Sequence, residues 1–342
     1  MTNIVVIGDP FVSADSLAEA AKGLSLPQPI TIQTFEWQAG TSRSAFREVI
    51  KQLEQEGPNG FEWSPEVLAA VSEADCLLVH LAPVSQKLLA HTTKLTMIGT
   101  CRGGLEHIDL EAVKEIEELS VINVIRNAEP VADFTIGLMY ATVRNIAASA
   151  IQVKKGEWPQ NFSNDAYKTS FSNLKVGLVG LGHIGKIVAK RLVALGMDVS
   201  VYDALLDQAA LDKEGFCIKW KPLEEIFSES DVVSLHLRVV PETQNLIDQS
   251  LLKLMKPSAY LINTARPDII NRSDLIACLA TKQIAGAGLD VLWEEPAAAD
   301  DPLLRLDNVL VTSHIAGDTI DAIERSPQLL QTEINRVLKK RE

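Results

Sequence analysis

The stretch from Lys175 to Asp203, KVGLVGLGHIGKIVAKRLVALGMDVSVYD, leaves few options for its fold. A short apolar run, Val176 to Val179, meets Gly180, Gly182 and Gly185 in the spacing G-x-G-x-x-G. Ile184, Ile187, Val188, Leu192 and Leu195 then recur on one helical face, and a second apolar run, Val199 to Tyr202, ends at Asp203. The pattern is strand, glycine turn, helix, strand. Glycine turns also join strands to helices for steric reasons alone, but here each residue type has a task. The first glycine makes the tight turn, the second admits a pyrophosphate against backbone, and the third lets the helix pack close to the sheet. Phosphate charge then lies at the helix N-terminus. Asp203, eighteen residues past Gly185 (203 minus 185), is placed to accept hydrogen bonds from ribose hydroxyls and to repel a 2′-phosphate. No arginine follows within ALLD, residues 204–207, so NAD is expected rather than NADP.

A chain of 342 residues allows about two domains at roughly 150 residues each. Its 46% hydrophobic and 23% charged residues are ordinary for a globular protein. The net charge of -13 argues against a general affinity for nucleic acid or anionic membrane. The opening MTNIVVIGD lacks the basic flank and long apolar core of a signal peptide, and no apolar run reaches membrane-spanning length. Cys76, Cys101, Cys217 and Cys278 are scattered without metal or redox spacing, so no metal site is expected and reduced thiols in the cytoplasm fit.

Apolar runs alternate with helical stretches along the whole chain. In the first 120 or so residues, strands are expected at 3–8, Ile30 to Phe35, Cys76 to Leu81 and Leu95 to Ile98, with helices at Ser13 to Lys22, Ser42 to Gln55, Glu66 to Ser72 and Asp109 to Leu119. Val121 to Ile125 follows as a strand, then a long helix from Pro130 to about Ala150, a hinge candidate. The polar segment Lys154 to Ser172, dotted with Trp158, Phe162, Tyr167 and Phe171, suits a surface or an interface. After Asp203, runs at Cys217 to Trp220, Val232 to Leu237, Tyr260 to Asn263, Ala285 to Val291 and Val309 to Thr312 complete seven strands. The expected fold is α/β with two doubly wound parallel sheets, a flavodoxin-like substrate domain and a Rossmann domain. Residues 1–125 plus 319–342 form the first and 126–318 the second, the last helix (Ile320 to Lys340) returning to the first domain.

Ligands in such sheets bind beyond the carboxyl ends of the strands. Arg266, Glu295 and His314 each lie just past an expected strand of the second domain. Hydride transfer to a carbonyl requires an acid, and His314 is suited to it. A carboxylate on the ring, Glu295, would orient the histidine and favour its charged form. Arg266 would grip a substrate carboxylate with its planar fork. Each has a plainer reading. His314 could be a hydrogen-bonded structural residue, Arg266 could tie down a loop, and Glu294 competes with Glu295. His80, His91, His107, His183 and His236 show no such constellation and read as structural or solvent-facing; His183 matters through its backbone in the glycine loop.

The segments VGLVGLGHIG, LINTAR, GLDVLWEEP and VLVTSHIAG, in that order, resemble the D-isomer-specific 2-hydroxyacid dehydrogenases, a family that includes phosphoglycerate, glycerate, glyoxylate and D-lactate enzymes. The likeness is clearest from Asn127 to Gly317. It implies a catalytic set of Arg266, Glu295 and His314, with Glu295 in the EP motif before Pro296. It also implies cofactor contacts from the loop Gly180, Gly182, His183, Ile184 and Gly185, from Asp203, and from Asp290 (to the nicotinamide carboxamide), Thr264 and Thr243. Backbone amides of Gly103 and Gly104 would bind the substrate carboxylate, and a homodimer would form through the cofactor domain.

Three positions depart from the family pattern: Pro267 where glycine is usual, Ser313 where proline is usual before His314, and Arg238 in place of a proline. None removes a group the chemistry requires. Arg102, where many relatives carry a small residue, and Arg126 offer a second anionic anchor, favouring a substrate with a second acidic group or several hydroxyls. Salt bridges to Glu106 or Glu129 are the equal alternative. The resulting expectation is an NAD-dependent oxidoreductase acting on a small 2-oxo or 2-hydroxy acid, its domains closing to exclude water. A non-catalytic NADH-sensing corepressor is the alternative class, and a formate dehydrogenase on the same fold lacks a supporting motif.

Overall fold

The computed structural model describes residues 1–213, 215 and 218–341. They form two compact units, Met1–Asn127 with Thr319–Glu342, and Ala128–Asp318.

In the first unit the strands are β1 (Thr2–Gly8), β2 (Ile30–Glu36), β3 (Cys76–Val79), β4 (Met97–Thr100) and β5 (Ser120–Asn123), all parallel, in the order β2-β1-β3-β4-β5. That order is flavodoxin-like, with its switch point between β1 and β3. Apolar runs such as CLLV are buried on both faces, as a parallel sheet covered by helices requires. Serines start the helices: Ser13 accepts from Ser16 N, Ser42 from Ala45 N and Ser64 from Val67 N, each supplying a partner to an orphan amide. Leu330 and Ile334 of the final helix pack on Ile4, Val6 and Leu78. A Cβ on Gly99 would lie 2.7 Å from Leu78 Cδ2 and 3.1 Å from Ile334 Cδ1, so glycine permits that close approach.

The second unit holds β6 (Lys175–Val179), β7 (Asp198–Tyr202), β8 (Lys219–Trp220), β9 (Val232–Leu235), β10 (Tyr260–Asn263), β11 (Gly286–Leu289) and β12 (Val309–Val311). The order β12-β11-β10-β9-β6-β7-β8 is the doubly wound dinucleotide-binding arrangement, reversing between β6 and β9. One face packs Val233, Leu235, Leu261 and Leu289 against Phe227, Leu251 and Leu275; the other packs Val176, Leu178, Val201 and Ile262 against Leu138, Met139, Val188 and Leu192.

Several local expectations shift. The strand expected at Leu95 to Ile98 runs Met97–Thr100, paired in register with β3. The helix expected over Asp109 to Leu119 is only Leu110–Lys114, capped by the Asp109 carboxylate and followed by turns, with Glu118 at φ 62. The long helix from Pro130 is two, Ala128–Val143 and Ile146–Lys154. Asn145 breaks it at φ 56, a left-handed conformation asparagine tolerates, and its side chain donates to Asn164 Oδ1 at 2.6 Å. The final helix likewise divides into Ile320–Glu324 and Ser326–Arg341, where Pro327 cannot continue the preceding hydrogen-bond ladder. Cys217 lies outside the described residues, and β8 starts at Lys219.

Candidate active site

Gly180 follows β6 at φ 98, where a Cβ would meet His236 O at 2.6 Å. Gly185 could carry no Cβ either, since it would lie 2.3 Å from Gly180 O. Gly182 is different, because nothing stands within 4 Å of where its Cβ would be. It caps the helix His183–Ala194, so the open space faces a helix N-terminus, as a pyrophosphate requires. The Asp203 carboxylate is held by Leu181 N at 2.8 Å and Leu205 N at 2.9 Å, one amide per oxygen, and each oxygen keeps capacity for a ribose hydroxyl. The residues present therefore fit a dinucleotide. Beneath the turn His236 bonds Ser234 Oγ at 3.1 Å, and burial pushes its imidazole down to about 4.

Three neighbouring strands carry the chemical groups. Arg266 follows β10, Glu295 follows β11 and His314 follows β12. His314 Nδ1 is 2.8 Å from Glu295 Oε2, and the other oxygen of that carboxylate accepts Leu292 N at 2.9 Å. Between the two adjacent acids, Glu295 holds the ring. A carboxylate at Nδ1 fixes that nitrogen as the N–H and leaves Nε2 as the nitrogen able to exchange a proton. Arg266 is exposed, spends one N–H on Ala265 O at 2.8 Å and has no ion pair among the described residues. Its backbone is pinned by Asn263 Nδ2, which donates to Arg266 O at 2.9 Å.

The side chains of Asp290, Thr264 and Thr243 are engaged within the protein. Asp290, 1% exposed, accepts Thr312 Oγ1, Ile315 N and Ala316 N, all from the turn that carries His314. Thr264 pairs with Thr135 Oγ1 at 2.7 Å, which ties the Ala128–Val143 helix to β10. Thr243 closes its own turn through Arg238 O and Val240.

In the first unit, Gly103 and Gly104 follow β4, and Asn123 Nδ2 donates to Gly103 O at 2.9 Å. Arg102 bonds Glu54 Oε1 at 2.9 Å, with Glu106 at 4.0 Å, while Glu129 is taken by Arg191. The salt bridge thus falls mainly to a glutamate that the local sequence does not suggest. A further group lies at the same sheet edge: Asp9 after β1 and His80 after β3 form a fully buried pair, Nδ1 to Oδ2 at 2.9 Å. The strand-end rule that selects His314 also selects these two positions.

Residues 136–316 match the family model described as D-isomer specific 2-hydroxyacid dehydrogenase, NAD binding domain. The chain is 33% identical over 279 residues to a putative 2-hydroxyacid dehydrogenase of Bacillus subtilis, YoaD, covering 80% of this chain and 78% of that one. It is 34% identical over 289 residues to a glyoxylate reductase of Thermofilum pendens, covering 81% and 83%. The fold is shared with the NAD-complexed D-isomer specific 2-hydroxyacid dehydrogenase of Lactobacillus delbrueckii ssp. bulgaricus, at a TM-score of 0.72, 24% identity and coverage of 99% and 98%. Nothing in these similarities supports a corepressor. The chain belongs to the D-isomer specific 2-hydroxyacid dehydrogenases, and is an NAD-dependent oxidoreductase acting on the CH–OH group of 2-hydroxy acids.

Proposed function

We propose that the chain reduces a small 2-oxo acid through Arg266, Glu295 and His314, and that the acid carries a further hydroxyl or acidic group. The observation that carries the catalytic part is the 2.8 Å pair of Glu295 and His314 on strand ends next to that of Arg266. What the cofactor supplies when bound is a hydride for the carbonyl carbon. Arg266 grips the carboxylate of the acid with the N–H groups it does not spend on Ala265. His314 gives a proton from Nε2 to the carbonyl oxygen, while Glu295 holds Nδ1 and so keeps the ring in one orientation. Gly180, Gly182, His183, Ile184 and Gly185 hold the pyrophosphate by backbone, and Asp203 takes the ribose. Thr243, Thr264 and Asp290 shape the cofactor edge through the turns they tie. Purified protein with NADH and a panel of 2-oxo acids, followed at the nicotinamide absorbance, tests this. Oxidation of NADH by none of them would refute it.

The assembly we propose is a homodimer through the second unit, acting in the cytoplasm. The helix Ile146–Lys154 has no buried residue although it reads IAASAIQVK, and Ile146, Ile151 and Trp158 are 56%, 52% and 78% exposed. Apolar side chains left this exposed on one helix call for a partner surface. Light scattering should give twice the monomer mass, and Ile151→Asp should halve it; a monomeric parent protein would refute the dimer. Cell fractionation with an antibody tests the compartment.

A further inference from the structure

Arg266 stands on a backbone to which its neighbours leave little freedom. Its φ of -146 and ψ of 144 are extended, and Pro267 comes next. A proline ring crowds the residue before it out of the helical region and into the extended one where Arg266 lies. Proline also lacks an N–H, so the peptide after Arg266 has no donor that could draw it into another turn.

On the near side, Asn263 commits both ends of its amide. It is 1% exposed at the end of β10, its Oδ1 accepts Ala265 N at 2.9 Å, and its Nδ2 donates to Arg266 O at 2.9 Å. Asn263 pairs with Leu235 of β9 and Leu289 of β11, which roots that amide inside the sheet. On the far side the chain is rooted again. Ile269 and Ile270 are fully buried, Ile270 N bonds Pro267 O at 2.9 Å, Ile269 O accepts Ile247 N at 3.0 Å, and Asp268 O accepts Asn245 N at 2.7 Å. Between these anchors the Arg266 side chain is exposed and folds one N–H back onto Ala265 O. Ordering a long side chain and its backbone on binding costs affinity, and a backbone fixed beforehand removes part of that cost.

We propose that Pro267 is a positioning residue for substrate binding. By holding Arg266 extended, against the anchor of Asn263, it keeps the guanidinium set for the carboxylate of the acid before the acid arrives. Pro267 acts through the dihedral angles of its neighbour rather than by a contact of its own. The assignment rests on the reading of Arg266 as the carboxylate grip and gives this proline a part in affinity more than in the transfer step.

The test uses Pro267→Gly, which releases the restraint, and Pro267→Ala, which releases less of it. The probe is oxamate, a 2-oxo acid analogue that accepts no hydride, titrated into the NADH complex and followed by nicotinamide fluorescence. Its Kd should rise about two- to fivefold in Pro267→Gly, as removal of a proline restraint predicts, and less in Pro267→Ala. The Kd of NADH should stay within about twofold. KM for a reducible acid should rise by the same factor with a smaller change in kcat, because a carboxylate grip is the same before and during transfer. An unchanged oxamate Kd would overturn the proposal, and so would a loss of NADH affinity as large as that of oxamate, the mark of a general loosening. In 15N-arginine-labelled protein without ligand, the Nε signal missing from Arg266→Ala should have a lower order parameter in Pro267→Gly than in the parent; an equal one would also overturn it. Failure of the parent to bind oxamate, or binding that Arg266→Ala leaves unchanged, would instead refute the carboxylate reading of Arg266, and the role of the proline with it.

Discussion

The carboxylate of Asp290 takes the hydroxyl of Thr312 at 2.6 Å. The same carboxylate receives Ile315 N at 3.1 Å and Ala316 N at 2.9 Å, so successive amides after His314 close around one buried anion. Amides converge in this way when a left-handed residue precedes them, and His314 stands at φ 56. Asp290 therefore holds the strained turn from which the proposed acid projects.

Asp290→Asn keeps an acceptor but loses the charge and one of the matched oxygens. We expect kcat to fall on the order of 10- to 100-fold, as for a displaced catalytic group, with NADH affinity changed less than about threefold. Stopped-flow turnover and a fluorescence titration of NADH separate the two quantities. A collapse of NADH affinity would mean that the carboxylate serves the nicotinamide directly.

Removing the ring itself is a sharper cut. His314→Ala should lower kcat by at least about 10²-fold while NADH still binds, because general acid catalysis is lost and the glycine loop is untouched. Retained turnover would take the proton-transfer role away from His314.

Cofactor choice should follow Asp203, whose carboxylate is fixed by Leu181 N and Leu205 N. Asp203→Ala should narrow the preference for NADH over NADPH by about tenfold or more, since it removes both a ribose acceptor and a repulsive charge. Kd values for both nucleotides check this, and an unchanged ratio would contradict it.

Acid should weaken the fold in a defined window. Burial lowers the proton affinity of His80, of His107 (further depressed by Arg102 and His80) and of His236, the last to about 4. In the unfolded chain these rings protonate near 6.5, so below that pH the unfolded state holds more protons and unfolding becomes easier. Urea unfolding at pH 7.5 and 5.5 should show the loss, up to about 1.4 kcal/mol per pH unit for each histidine. Asp9 acts later. Burial opposes its charge, but His80 and the amides of Phe11 and Val12 overcome this and depress its proton affinity, so its contribution is present above about 4 and lost below. Stability that is flat between the two pH values would contradict the histidine assignment.

Much of this protein is legible in the order of its residues, because the signals are local. Strand runs, the glycine spacing, the helix after it and the acid at the end of β7 each depend on neighbours a few positions apart, whose side chains set backbone preference and burial. The strand-end rule then picks out Arg266, Glu295 and His314 without any coordinates. Pairings between distant positions are another matter. Pro296 already marks Glu295 over Glu294, but the 2.8 Å contact with a ring nineteen residues away exists only through the way the chain turns after β11. Arg102 meets Glu54 across 48 positions and Asp9 meets His80 across 71, distances at which sheet order and register decide what touches. Asn145 breaks a helix that its apolar spacing would continue, because Asn164 supplies a tertiary partner. The sequence by itself determined two parallel-sheet units, the dinucleotide loop and the strand ends that carry Arg266, Glu295 and His314. Tertiary structure alone decided what anchors the turn of His314, that Arg102 meets Glu54, and that a second histidine is left with an unpaired nitrogen at the edge of the first sheet.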